Sequence, residues 1–127
     1  MEKEKEYSYE GKYYVNEKLE YEGEFLYNKK WNGKGYDENG NIIYELKNGS
    51  GKVKEYYNNE LIFEGEYFDN FRFKGKEYKY KKLIFEGEYL NNKKWNGKGK
   101  EYNNNYYSLI YEGEYSNGER NGKGKEY

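Results

Sequence analysis

Hydrophobic and polar residues alternate with a period of two through most of the chain. In Ile84-Phe-Glu-Gly-Glu-Tyr89, for example, Phe85, Gly87 and Tyr89 fall on one face of an extended strand, and the residues between them fall on the other. No helical period is present, and the absence of Pro leaves such strands uninterrupted. The pattern therefore predicts an all-β protein.

This strand pattern is repeated along the chain. The string Leu-Ile-Phe-Glu-Gly-Glu-Tyr begins at Leu61 and again 22 residues later at Leu83, and a copy with Tyr in place of Phe begins 26 residues further on at Leu109. Most copies are followed by a second motif related to Trp-Asn-Gly-Lys-Gly-Lys-Glu-Tyr. Two short strands in each such period are typical of one β-hairpin per repeat. Shorter or decayed copies begin at three further positions: Tyr9, Tyr21 and Tyr44.

The repeats cover almost the whole chain, so we expect residues 1–127 to form a single array. The approximate bounds of its repeats are 9–20 (partial), 21–43, 44–62, 63–84, 85–110 and 111–127. Asn and Gly cluster between the predicted strands, where hairpin turns require positive φ. The expected fold is an elongated antiparallel meander of about ten or eleven strands. It would be an open, twisted sheet one layer thick.

The two faces of this sheet are predicted to differ. Glu86 and Glu88 can lie beside Lys98 and Lys100 on one face, where each pair of opposite charges contributes about 0.2–1 kcal/mol. On the other face, aromatic rings lie over glycines, which accounts for Gly in strand interiors. We therefore predict structural roles for the following glycines: Gly23, Gly65, Gly87, Gly97, Gly99, Gly113, Gly118, Gly122 and Gly124.

The composition argues against disulfides, most metal sites, common catalytic groups and nucleic-acid binding. The chain has neither Cys nor His, so disulfides, thiolate or imidazole metal sites and the commonest general base are all absent. The net charge of −1, from 23 basic and 24 acidic residues, argues against nucleic acid as a partner. The paired Glu residues recur in several repeats, which is typical of a structural ladder, since an active site needs a unique constellation. No catalytic residue, cofactor or metal site is predicted.

The amino terminus bears on location. Its charged run, Met1-Glu-Lys-Glu-Lys-Glu6, is not followed by an apolar stretch, and nowhere is there an apolar span long enough to cross a bilayer. We expect a cytoplasmic protein, with association at a membrane surface left open.

The motifs resemble MORN repeats, whose pattern is Tyr-x-Gly-x-aromatic-x-x-Gly-x-x-x-Gly-x-Gly, and in particular the variant common in bacterial proteins. The copy starting at Phe85 matches with one inserted residue and has Asn92 at the turn glycine, whereas the copy starting at Tyr44 has Leu46 in place of the first glycine. The resemblance covers residues 9–127 and implies a scaffold that works by contact. The last copy matches every fixed position: Tyr111, Gly113, Tyr115, Gly118, Gly122 and Gly124.

The leading functional hypothesis is a scaffold that binds a protein partner or a second copy of itself through an aromatic-rich face, because exposed rings dominate binding hot spots. The alternative that the same rings only stack between repeats is equally open. The candidate partner face comprises Phe25, Trp31, Tyr67, Tyr89, Trp95 and Tyr115.

Two other functions remain open from the sequence. The resemblance implies binding to acidic phospholipids, although the balanced charge speaks against it. An antitoxin-like role or a purely structural spacer is the remaining alternative. The candidate lipid contacts are Lys98, Lys100, Lys123 and Lys125.

Overall fold

The computed structural model describes residues 8–127; residues 1–7, which include the charged amino terminus, lie outside the described part. Each strand pairs antiparallel with the next one along the chain within its sheet. The all-β prediction and its strand number are both confirmed. The strands are β1 (Ser8–Val15), β2 (Lys18–Leu26), β3 (Lys29–Tyr36), β4 (Ile42–Leu46), β5 (Gly51–Tyr57), β6 (Glu60–Phe68), β7 (Phe71–Lys79), β8 (Lys82–Leu90), β9 (Lys93–Tyr102), β10 (Leu109–Ser116) and β11 (Glu119–Glu126).

The strands form two sheets, so the prediction of one continuous sheet is wrong. β1–β4 make a four-stranded sheet and β5–β11 a seven-stranded one. The break falls after β4, in the decayed repeat. There Leu46 occupies the place of the first glycine, and its side chain is only 3% exposed. Leu46 itself stays paired with Gly33 of β3, so the break lies on the β5 side of this strand.

The chain divides into two compact units. Unit 1 comprises Met1–Val53 with Tyr67–Asn70, and unit 2 comprises Lys54–Glu66 with Phe71–Tyr127. In each unit the first ring of the repeat motif forms the centre of the core. The fully buried rings are Tyr21 in unit 1 and Phe63 and Phe85 in unit 2.

Two-residue turns with positive φ at both positions join most of the strands. The pair Asn91 and Asn92 has φ of 52° and 66°, and the pair Asn58 and Asn59 has 48° and 63°. Such turns match the right-handed twist of a hairpin. The Asn-based turn predictions are therefore confirmed, whereas the turn at Tyr80 and Lys81, with φ of 51° and 64°, contains neither Asn nor Gly and was not predicted.

Glycines of neighbouring strands lie directly opposite one another and form rows across the sheets. In β7, β8 and β9, Gly75 pairs with Gly87, and Gly87 pairs with Gly97. A Cβ added at Gly97 would lie 2.8 Å from the Cα of Gly87, closer than packed atoms allow. The missing side chains therefore let the two backbones approach each other.

Rings cross other glycines, as the sequence predicts. A Cβ at Gly99 would collide with the Tyr115 ring, and one at Gly124 would collide with the Tyr111 ring. Gly122 is the exception: a Cβ there would meet nothing within 4 Å, because no ring lies over this position of β11. The structural role predicted for Gly122 is not explained by any such contact and stays a prediction.

We expect Gly97→Ala to lower the free energy of unfolding by about 2 kcal/mol, because the added methyl group overlaps the β8 backbone. Gly122→Ala is the matched control, since its methyl group enters open space. Urea denaturation of both variants measures the difference. Equal stabilities would show that close backbone approach does not require glycine.

Candidate interaction surface

Rings on the glycine face pack edge to face in a column within unit 2. The Tyr89 ring lies 5.3 Å from Phe85 of its own hairpin and 5.5 Å from Phe63 of the preceding one. Tyr115 repeats the arrangement, at 6.0 Å from both Tyr111 and Phe85. Such pairs add about 0.5–1.5 kcal/mol each beyond the area that they bury. The column is therefore part of the core.

The six predicted partner-face rings fall into two groups by burial. Phe25 is 9% exposed and Tyr89 is 6% exposed, so both belong to the core. Binding by these two rings stays a prediction. The other four candidates are half-buried: Trp31, Tyr67, Trp95 and Tyr115.

Trp95 and the residue after it anchor the turn of the following hairpin. The Trp95 carbonyl accepts a hydrogen bond from the Gly118 N–H at 2.9 Å. The Asn96 side-chain oxygen accepts another from the Asn117 N–H at 3.0 Å. The Trp-Asn pair thus ties one hairpin to the tip of the next.

The same anchor occurs in unit 1 at the other Trp-Asn pair. The Trp31 carbonyl accepts from the Gly49 N–H at 2.8 Å, and the Asn32 side chain accepts from the Asn48 N–H at 2.8 Å. The Trp-Asn pair therefore has the same structural role in both units, whereas the binding or stacking role of the tryptophan rings stays a prediction.

The chain has only two Arg residues, and both occupy the same place in their hairpins. The Arg72 guanidinium lies 4.5 Å from the centre of the Phe63 ring, and that of Arg120 lies 4.2 Å from the centre of the Tyr111 ring. In each case the ring is the first aromatic residue of the same hairpin. Sequence reasoning missed this contact, although the rarity of Arg at an equivalent repeat position is a signal for it.

Each guanidinium also bridges carboxylates of the Lys-Glu-Tyr motifs. The Nε and Nη2 atoms of Arg72 each lie 3.0 Å from an oxygen of Glu55, and Nη1 lies 3.4 Å from an oxygen of Glu77. Arg120 makes the same two-point ion pair with Glu101, with nitrogen–oxygen distances of 2.6 and 2.8 Å. The prediction that charges occupy only the face opposite the rings is therefore incomplete. Planar guanidinium groups suit this position because they stack on a ring and bind carboxylates at the same time.

These contacts shift the ionisation of their members. The hydrogen bonds from Arg120, with a further one from the Tyr115 hydroxyl, hold the pKa of Glu101 below its ordinary value. Burial and the Glu101 carboxylate raise the pKa of Tyr115 well above that of free tyrosine. The tyrosine is therefore a neutral donor to an ionised carboxylate at neutral pH.

The charge ladder on the opposite face is confirmed in part. Lys98 lies opposite Glu86 in the register of β8 and β9. Lys100 is not beside Glu88; it lies opposite Glu112 of β10, with 3.6 Å between the charged atoms. The predicted pairing within one hairpin is corrected to pairing between hairpins, because the register places Glu88 opposite an asparagine.

The four candidate lipid contacts all lie on strands β9 and β11, which flank the acidic strand β10. Lys98 lies between Glu86 and Glu114 in register, and Lys125 lies opposite Glu112. Their positive charge is neutralised locally, so the geometry provides no basic patch.

A tyrosine cluster, formed by Tyr80, Tyr102, Tyr106 and Tyr107, lies at the opposite end of the unit 2 hairpins from the Trp-Asn anchors. Tyr106 packs against Tyr80 at 4.9 Å and stacks with Tyr102 at 5.8 Å between centroids. Tyr80 is 64% exposed, and Tyr107 is 84% exposed. The cluster therefore combines rings that pack against one another with rings that are exposed to solvent.

Hydrogen bonds to the Asn103 side chain close the loop that carries Tyr107. The Asn103 side chain accepts hydrogen bonds from the N–H groups of Tyr107 and Ser108, both at 3.2 Å. Tyr106 has φ of 59°, a left-handed conformation that is unfavourable for a bulky residue. The longer spacing of this repeat was visible in the sequence, but the displayed ring was not.

Within residues 8–127 there is no group of three acidic side chains placed to share a metal ion, and no helix long and apolar enough to cross a membrane. Comparison with known proteins gives no match: no family model, no curated protein and no solved structure is similar to the chain. The functional argument therefore depends on the residues and their geometry.

We expect Asn96→Ala to lower the free energy of unfolding by about 1 kcal/mol, because the Asn117 N–H loses its acceptor. Asn104→Ala, in an exposed loop position, is the control and should leave the unfolding midpoint unchanged. Thermal unfolding followed by near-ultraviolet circular dichroism measures both. An Asn96 variant as stable as the control would contradict the anchor.

The Glu101 pKa predicts a loss of stability in acid. Because the folded carboxyl has the lower pKa, its contribution is present above pH 4.5 and is lost as the pH falls through the folded value. The Gln side chain of Glu101→Gln cannot titrate. The difference in free energy of unfolding between the wild-type chain and this variant should therefore narrow with decreasing pH. Urea midpoints measured across this range test the expectation, and parallel curves for the two proteins would refute it.

Proposed function

We propose that this chain is a non-catalytic binding module of the MORN-repeat type, which contacts a protein partner or a second copy of itself through exposed aromatic residues. The resemblance of its motifs supports the family assignment, and the hairpin architecture agrees with it. The carboxylates that recur in the repeats serve as partners for Lys and Arg, which supports the absence of a catalytic role.

The observation that carries this proposal is the distribution of large apolar side chains. Of the described ones, nine are buried and sixteen are exposed. The described residues thus leave more large apolar side chains exposed than buried, and exposed aromatic patches mark interaction sites more often than ordinary surface does. Tyr and Trp are also the residues that contribute most to binding hot spots.

The tyrosine cluster is the part of this surface best suited to a partner. Its rings pack against one another and its loop is hydrogen-bonded, and preorganisation of this kind lowers the conformational entropy lost on association. Lys79 and Lys82 lie 5.2 and 5.0 Å from the ring centres of Tyr106 and Tyr102. A protein segment with apolar and acidic side chains matches this combination of rings and ammonium groups.

Peripheral binding to acidic lipids is the second candidate, and the antitoxin-like or spacer role is the third. The lipid proposal depends on lysines that the structure interleaves with glutamates. Attraction to a membrane surface is worth about 1 kcal/mol per basic residue and requires an excess of positive charge. The geometry therefore favours the protein-binding proposal.

The test compares capture of proteins from the source cell by the wild-type chain and by a Tyr80→Ser/Tyr107→Ser variant. We expect the variant to fold normally and to lose the captured partner, since both rings are exposed. Lys98→Gln/Lys100→Gln is the matched control and should retain it. Loss with the lysine variant, together with sedimentation on anionic vesicles, would favour the lipid proposal instead.

A further inference from the structure

Strand β1 differs from the other copies of its motif in one charge. Its sequence is Tyr9-Glu-Gly-Lys-Tyr13, whereas the other copies that keep the central glycine have Glu on both sides of it. The exchange of one Glu for Lys12 makes the strand self-complementary about Gly11. When two such strands pair antiparallel around that glycine, each Glu10 faces a Lys12, and each Tyr9 faces a Tyr13.

This strand is also an edge of its sheet. β1 pairs with β2 on one side, and no described strand pairs with it on the other. Edge strands in soluble proteins are usually short, interrupted or strongly charged, which prevents pairing with other chains. β1 has eight residues without Pro, and among them Tyr9, Tyr13, Tyr14 and Val15 are 46–54% exposed. It lacks most of these protective features.

Nothing in the described part of the chain requires glycine at position 11. A Cβ added there would lie 3.5 Å or more from its neighbours, the Phe25 and Tyr9 rings, which is an ordinary contact. The next glycine in the same row differs: a Cβ at Gly23 would come within 2.5 Å of the Cα of Gly33. Gly11 lies opposite Gly23 in the register of β1 and β2, yet a Cβ at Gly11 would not clash with that strand.

Glu10 has no opposite charge across from it on β2, which is a further feature of this edge. In the register of β1 and β2, Glu10 lies opposite Glu24, and like charges in that position are destabilising. Lys12 lies opposite Glu22, with 3.6 Å between the charged atoms. An incoming Lys12 on the open side of β1 would give Glu10 an opposite charge.

We propose that two copies of this chain pair through β1, antiparallel and with a two-fold axis at Gly11. The inference rests on the proposed function and names its partner as a second copy. Pairing extends the glycine row Gly33–Gly23–Gly11 into the second molecule. It also sets Tyr9, which stacks on Phe25 at 5.1 Å, beside the partner's Tyr13. An interface with one strand from each chain is small, so we expect a dimer of micromolar affinity.

The first test uses analytical ultracentrifugation of the full chain over a range of concentrations. Glu10→Lys should weaken the dimer by at least about tenfold, because the introduced lysine would then face Lys12 of the second copy. The same change gives Glu24 an opposite charge within the chain, so the variant should remain folded. Glu10→Lys/Lys12→Glu restores complementarity and should restore dimerisation. A chain that stays monomeric, or a dimer insensitive to Glu10→Lys, would overturn the proposal.

The second test examines the register by cross-linking, for which the absence of native Cys is an advantage. Gly11→Cys should form an intermolecular disulfide under mild oxidation, because residues on the two-fold axis bring their Cα atoms within about 4.5–5.5 Å. Gly122→Cys, on the exposed strand β11, is the control for random collision. Equal rates for the two variants would exclude the register.

The two proposals can fail separately. Glu10→Lys leaves the tyrosine cluster unchanged, so a monomeric Glu10→Lys chain that still captures the cellular partner is the result expected if both proposals hold. A wild-type chain that captures the partner but never dimerises would refute only the β1 inference. Loss of capture in the Tyr80→Ser/Tyr107→Ser variant with the β1 dimer intact would leave the inference standing.

Discussion

The close approach of glycine backbones on neighbouring strands is the constraint on which the rest of this structure depends. At pairs such as Gly87 and Gly97, a single methyl group would overlap the opposite strand. The space that glycines leave open is filled by rings, as Tyr115 shows over Gly99. The chain has no Ala and only fourteen Val, Ile and Leu residues, so these rings supply most of its core.

Charged residues contribute to the core of unit 2. The guanidinium groups of Arg72 and Arg120 each cover the face of a ring, and carboxylates hold them in place. Cation–π contact and ion pairing take the place of aliphatic cover at these rings. This explains why a third or more of the residues can be charged in an ordered domain: the charges are placed on ring faces and along strands, where they pair with one another.

The apolar side chains that stay exposed are where the proposed contacts lie. Tyr107 projects from a loop whose backbone N–H groups bind a side-chain amide, and Tyr9 and Tyr13 lie along an open edge. We propose contacts of two kinds, through rings displayed by a loop and through a strand edge. The rings suit a partner of different sequence, and the edge suits a second copy of the chain because it is self-complementary.

The sequence by itself determined the strand period, the turns at Asn and Gly, and the pairing of rings with glycines, because each depends on residues close together in the chain or on a strict alternation of faces. It did not reveal the break after β4, the shift of Lys100 toward Glu112, or the burial of Phe25 and Tyr89. It also missed the stacking of Arg72 on Phe63 and the ring displayed at Tyr107. These features depend on register between strands and on the space around each side chain. Only the tertiary structure decides them, since a bulge of one residue changes which side chains meet without altering the repeat pattern.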